Sequence, residues 1–380
     1  MLAVAGVIGW VGLIWLGVRM YATTPPTAGF DLELLLRAGR SVAAGQSPYD
    51  PALIAGTAPV AESLFYSYPP PVAQVLSLLA PVPSGVMLVA FDGAAILGWL
   101  VAVALVTRRL RPGESLRSSV LPTLAIAPLV SPYAVGLLFG NLDAFFPLLY
   151  GLMLVAALPS SSSRDHVLGG AALAGAALTK LHPASIGLWF LLRGFMSPGA
   201  RRVVVVATAA GGLMVAASLL AGGVQVWMDY AAVLRAGSGA DVVDERNAGP
   251  AAQLALLVGG GGRDGEALAR ALQIPVTLAA LAGTAYAAWR VRDSIQSLAL
   301  AAVASLVILP VTWYHYPAAL LPFALAAFQR ARGGPDGRRT HATLAVAAVL
   351  AAVAIAWLPL LWLSAALVVA AVRSSAPASR

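Results

Sequence analysis

The chain has 380 residues, 59% hydrophobic and only 11% charged, with a formal net charge of +8. Soluble domains carry about 25% charge, so this much apolar surface excludes a set of water-soluble domains and implies an all-α polytopic membrane protein. Cysteine is absent, which excludes disulfides and thiolate chemistry; the four histidines show no metal-ligand spacing, so neither metal nor cofactor is expected.

The first apolar segment runs from Leu2 to about Tyr21 and, with no basic leader or cleavage site, reads as a retained helix. Residues 22–67 form the first extracytoplasmic loop. Within it, residues 32–44 have the pattern of a short amphipathic helix on the membrane surface, with Asp31 at its start. Apolar runs follow at about 70–82, 84–106, 118–138, 141–159, 166–192, 203–222, 268–289, 294–312, 316–329 and 342–372. A span needs about 18–20 residues to cross upright, so the shorter runs are expected to be re-entrant, kinked or paired. The whole of 1–380 reads as one transmembrane domain of about 10–12 membrane segments, with 223–267 as a second extracytoplasmic loop.

Arginine sets the orientation, because basic residues collect in cytoplasmic loops. Arg108, Arg109, Arg111 and Arg117 mark one such loop, as do Arg193, Arg201 and Arg202, then Arg290 and Arg292, then Arg330, Arg332, Arg338 and Arg339. Basic charge in short loops between apolar runs is not a nucleic-acid footprint. Two full spans between 68 and 107 would invert the first loop, so 70–82 is expected to be re-entrant or partial. Arg19, at the outer end of the first segment, runs against the rule.

With that topology the unusual polar residues fall on one face: Asp31, Arg37, Tyr49, Tyr68, Asn141, Lys180, His182, Asn247 and His315. Asp31 suits a general base, or a helix N-cap. Lys180, the only lysine, interrupts an apolar run; it suits contact with a phosphate, assisted by His182, or a snorkelling side chain. His315, in Trp313-Tyr314-His315-Tyr316-Pro317, reads as a base, a hydrogen-bond donor to a phosphate or a member of an interfacial aromatic belt, and its aromatic neighbours read as that belt. Asp92 and Asp143, inside apolar runs, read as helix-to-helix hydrogen bonders. Gly259 to Gly262 lacks the Lys of a phosphate loop and reads as a linker. A secondary transporter is the alternative class, but the halves show no repeat and the polar residues gather at one surface.

The spacing Asp31-x5-Arg37-Ala38 followed by Gly45-Gln46-Ser47-Pro48-Tyr49-Asp50-Pro51 resembles the first outer loop of glycosyltransferase family 87. The resemblance continues through Tyr68-Pro69-Pro70, a Gly140-Asn141 turn, the Leu178-x-Lys180-x-x-Pro183 break and Trp313-x-His315, in family order. It implies a GT-C fold in a bacterial plasma membrane with an extracytoplasmic active site. The implied reaction moves a sugar, mannose in that family, from a polyprenyl monophosphate to a glycolipid or lipid-linked hydroxyl with inversion. Asp31 then corresponds to the base, and His315 and Lys180 to residues at the donor phosphate. The chain departs from the family at Leu34, Leu35 and Leu36, where relatives carry an aromatic, and at Asn141, where they often have Gln. These departures bear on the sugar or acceptor rather than on the chemistry.

Overall fold

A computed structural model describes residues 2–24, 27–55, 65–115, 117–181, 183–237, 242–260, 262–334 and 337–376. Among them the secondary structure is helical, without strands. Helix α1 (Leu2–Tyr21) is followed by three short helices, α2 (Phe30–Ala43), α3 (Pro51–Ile54) and α4 (Pro70–Ser77), and then by the long α5 (Ser84–Leu110). Next come α6 (Arg117–Ile126), α7 (Ser131–Phe139), α8 (Phe146–Ala157), α9 (Ser163–Thr179), α10 (Ala184–Gly194) and α11 (Pro198–Gly222). The remainder comprises α12 (Gln225–Gly237), α13 (Pro250–Gly259), α14 (Gly262–Arg290), α15 (Ser294–Val307), α16 (Leu321–Ala331), α17 (Gly337–Val353) and α18 (Leu360–Ser374). Helices α1, α5, α11 and α14 are each long and apolar enough to cross a membrane. A fifth candidate is the pair from Arg117 to Phe139, bent by 73° where Pro122, Pro128 and Pro132 interrupt the hydrogen-bond ladder.

Burial confirms the solvent these helices were built for. Val4, Val7, Ile8 and Val11 on α1 are each more than 60% exposed, as are Val205, Leu213 and Leu220 on α11. Apolar side chains pointing outward along whole helices suit lipid and not water. In the largest interior cluster Trp99, Tyr150, Trp189, Phe190 and Phe323 bring α5, α8, α10 and α16 together.

Capping residues and prolines set the breaks. Ser162 and Asp165 form a reciprocal capping box at α9, and Ser197 and Asp293 cap α11 and α15 through their side chains. The apolar run 342–372 is not one element: it divides into α17 and α18 around Pro359, which cannot continue a helix. The region 223–267 is likewise no plain loop, since it holds α12 and α13 and the first turn of α14.

The arginine loops bond to one another and form one end of the molecule. Arg109 pairs with Asp165 at 2.5 Å, Arg202 donates to Ser163, Arg193 donates to the Val291 carbonyl, Arg330 pairs with Asp293, and Arg332 pairs with Glu114. At the opposite end, Tyr314 donates to the Ala351 carbonyl, Trp362 to the Ala248 carbonyl and Asn247 to the Pro310 carbonyl. The helices alternate between these two ends. Helix α4, eight residues and so about 12 Å long, does not cross, which keeps α2 and α3 at the end away from the arginines.

Candidate active site

Backbone geometry at Gly140 builds the site. Gly140 ends α7 in the left-handed region, φ 64°, and a β-carbon there would stand 2.6 Å from Cβ of Leu32. A glycine at that turn therefore lets α2 dock directly on it, and the Gly29 amide seals the contact by donating to the Leu138 carbonyl at 2.8 Å. Docking puts Asp31 beside Asn141. Asp31 is not the N-cap of α2: Gly29 holds that position, in the left-handed region, and the Asp31 carboxylate is turned to other work.

Asn141 is the hub. Its Nδ2 donates to Asp31 Oδ2 at 2.7 Å, while its Oδ1 accepts from the Asp143 amide at 2.9 Å and faces Lys180 Nζ at 3.5 Å. Lys180 leaves α9 in an extended conformation at the break before Pro183, which turns its side chain inward. The ammonium pairs with Asp143 Oδ2 at 2.5 Å and lies 3.9 Å over the ring of Tyr316 and 5.6 Å from that of Tyr68. His315 Nε2 is 3.2 Å from the same Asp143 oxygen but off-axis for a hydrogen bond, and this buried nitrogen has no hydrogen-bond partner among the described residues.

Asn141, Asp143, Lys180 and His315 are all buried, and Asp31 is half-exposed. Snorkelling is thus excluded for Lys180. The lysine is an inward-facing partner of a carboxylate, not a lone point charge. Asp143, expected to bond one helix to another, is the carboxylate that both Lys180 and His315 approach. Tyr316, expected in a lipid-facing belt, is buried against Lys180, and Tyr314 is tied to α17. The buried Oδ1 of Asp92 makes no hydrogen bond among the described residues.

Tyr49 acts at one remove. It is buried in a ring cluster with Tyr66 and Tyr230, and its hydroxyl donates to the Tyr68 carbonyl at 2.9 Å. Burial first, then Tyr230 and Asp229, push its phenol above the ordinary value, so it remains a donor. Arg37 lies on the solvent face of α2, 65% exposed and 3.9 Å from Glu33, outside the hydrogen-bonded group. Asn247 is also outside it. Its side chain donates to the Val242 and Pro310 carbonyls and accepts from the Gly249 and Thr312 amides, which uses its full hydrogen-bonding capacity in a loop clamp. Of the polar residues grouped on one face by the sequence, Asn247 is therefore held in backbone contacts apart from the Asp31 and Lys180 group. His182 lies outside the described residues.

The arrangement offers one accessible carboxylate and, behind an amide bridge, two buried cationic or ionisable groups that share a second carboxylate. A half-exposed carboxylate can take a proton from a hydroxyl, and the group behind it can meet an anionic leaving group. The missed residue was Asp143. Its signal was present in the sequence as an unexplained carboxylate two residues after the Gly140-Asn141 turn.

No curated protein matches the chain. Residues 66–313, well over half of it, match the sequence profile of glycosyltransferase family 87. The chain is a membrane glycosyltransferase and belongs to glycosyltransferase family 87.

Proposed function

We propose that the protein transfers a hexose, mannose in the first instance, from a polyprenyl-monophosphate donor to a hydroxyl of a glycolipid or lipid-linked acceptor, with inversion. Asp31 takes the proton of the acceptor hydroxyl as its oxygen bonds to the anomeric carbon. The bond from that carbon to the donor phosphate oxygen breaks, and polyprenyl phosphate leaves with the bonding electrons. A phosphate monoester is already anionic as it departs, so the site needs cationic and hydrogen-bonding groups more than an acid. Lys180 and His315 serve that need, held in place by Asp143. The active site faces the extracytoplasmic side of a bacterial plasma membrane, because the arginine-rich loops lie at the other end. Envelope glycolipids such as phosphatidylinositol mannosides are the acceptor class that the family suggests.

One observation carries this reading: the half-exposed Asp31 carboxylate is 2.7 Å from the Asn141 amide, whose carbonyl faces the buried Lys180. A base on one side and a phosphate-binding group on the other suit a single displacement. The test is the full chain in detergent, given labelled polyprenyl-phosphate-mannose and a membrane lipid extract. Label should move to a lipid product. Transfer from a nucleotide sugar but not from the polyprenyl donor would overturn the donor assignment.

A further inference from the structure

Tyr68 stands at the break that starts α4, and its backbone is held from several sides. Pro69 and Pro70 follow it, and a residue before proline is confined to extended conformations. Tyr49 donates to the Tyr68 carbonyl at 2.9 Å, and Tyr66 donates to the Pro69 carbonyl at 3.2 Å. Ring packing adds to this frame, with the Tyr66 and Tyr68 centroids 5.6 Å apart. Tyr49 and Tyr66 thus spend their hydroxyls on protein carbonyls. The Tyr68 hydroxyl makes no hydrogen bond among the described residues. The residue is half-buried, so its hydroxyl, unlike the sealed hydroxyl of Tyr133, remains accessible.

The phenol belongs to the group built around Asn141. Lys180 Nζ is 5.6 Å from its ring centroid, and Lys180, Asp31, Tyr316 and Asp143 are the groups whose charge reaches it. Burial is the largest influence and raises the phenol above its ordinary value. Lys180 opposes that rise, and Asp31, Tyr316 and Asp143 add to it. At neutral pH the hydroxyl is therefore a protonated donor. Such a donor meets a need that Lys180 leaves open. Lys180 and Asp143, 2.5 Å apart, are neutral as a pair, and the ammonium also faces Asn141. A phosphate monoester arriving there gains from a directed donor on a rigid frame, because the net charge of the pair offers it little.

We propose that the Tyr68 hydroxyl donates to a non-bridging oxygen of the donor's phosphate, beside the Lys180 ammonium, and so makes a lipid phosphate the preferred leaving group. This rests on the polyprenyl-monophosphate reading above and adds to it the residue that holds the phosphate from the α4 side. Because the hydroxyl bonds nothing among the described residues, its loss falls on ligand binding and not on the fold.

The test is equilibrium binding of three lipids to the full chain in detergent: polyprenyl phosphate, polyprenyl-phosphate-mannose and the uncharged polyprenol. The wild type should bind both phosphate lipids more tightly than the alcohol. Tyr68→Phe should lower affinity for both phosphate lipids about tenfold, the loss of one hydrogen bond to a charged group. Its polyprenol binding and its melting temperature should match the wild type. Tyr49→Phe provides the structural contrast, since it removes a bond within the protein: it should lower the melting temperature and cost less phosphate-lipid affinity than Tyr68→Phe. Loss of affinity for polyprenyl-phosphate-mannose alone, with polyprenyl phosphate bound normally, would place the hydroxyl on the sugar and overturn the phosphate contact. Unchanged binding of both phosphate lipids overturns it too, as does a melting temperature lowered in Tyr68→Phe as far as in Tyr49→Phe. These three results leave the donor reading standing. Failure of the wild type to distinguish the phosphate lipids from polyprenol would instead overturn that reading, and the Tyr68 contact with it.

Discussion

Lys180 shows how a structure changes the meaning of a substitution. As an unpaired lysine near a phosphate, Lys180→Met would weaken donor binding and leave the fold intact. Paired with Asp143 at 2.5 Å and buried, it cannot be removed so simply. Stripping one partner from a buried pair leaves an uncompensated charge and typically costs about 3–5 kcal/mol. Lys180→Met should therefore lower the melting temperature by several degrees, whereas Lys180→Met combined with Asp143→Asn should recover most of that loss. Both variants should remain deficient in transfer. Additive stability losses, with no recovery in the double variant, would show that the pair is not coupled. Lys180 was legible in the sequence because a lone lysine in an apolar run is conspicuous. Asp143 was not, since nothing in a linear pattern says which distant cation a buried carboxylate meets. Asn247 was ambiguous for the same reason: a polar residue at an outer loop end looks the same whether it faces a ligand or clamps backbone carbonyls. Tyr49→Phe provides a milder check. It removes only the hydrogen bond to the Tyr68 carbonyl, so stability should fall by about 1 kcal/mol in denaturant melts, with a modest loss of transfer.

Helix α2 owes its position to one turn. Gly140 admits Leu32 at a distance no side chain would allow, and Gly29 accepts the left-handed backbone that starts the helix. Gly140→Ala should push α2 off the turn and misplace Asp31. Small misplacements of a reacting group can cost about 100-fold, so transfer should fall at least about tenfold. Gly45→Ala supplies the control, because Gly45 has a similar positive φ, 74°, but open space around it. That variant carries the backbone strain without the clash. Equal transfer by the two variants, in initial-rate assays, would refute the docking of α2 as the source of Asp31's placement. Helix α2 was legible from its amphipathic pattern, and the partial nature of the 70–82 run from arginine parity alone. The α17–α18 break was not read, since a proline within a long apolar run marks either a kink or a reversal and only packing decides which. The bend between α6 and α7 has the same origin.

At the scale of the whole molecule, two ends with different chemistry define the account: an arginine-bonded end, and an end where Asp31, Asn141, Lys180, Asp143 and His315 converge. Because the native chain has no cysteine, single cysteines report orientation cleanly. In intact cells an impermeant thiol reagent should label Gln46→Cys and not Pro112→Cys, and the reverse pattern would invert the topology. The central claim, though, is that Asp31 is the base of the transfer reaction. Asp31→Asn preserves size and can still hydrogen-bond Asn141 after a flip of its amide, but it cannot take up a proton. General-base catalysis contributes about 10²–10⁴-fold, so single-turnover transfer from polyprenyl-phosphate-mannose should fall at least ~100-fold in the folded variant. Donor affinity, measured on the same sample, should be largely kept, because Lys180 and His315 lie beyond Asn141. Near-normal transfer by Asp31→Asn would contradict the account and leave Asp31 as a structural partner of Asn141.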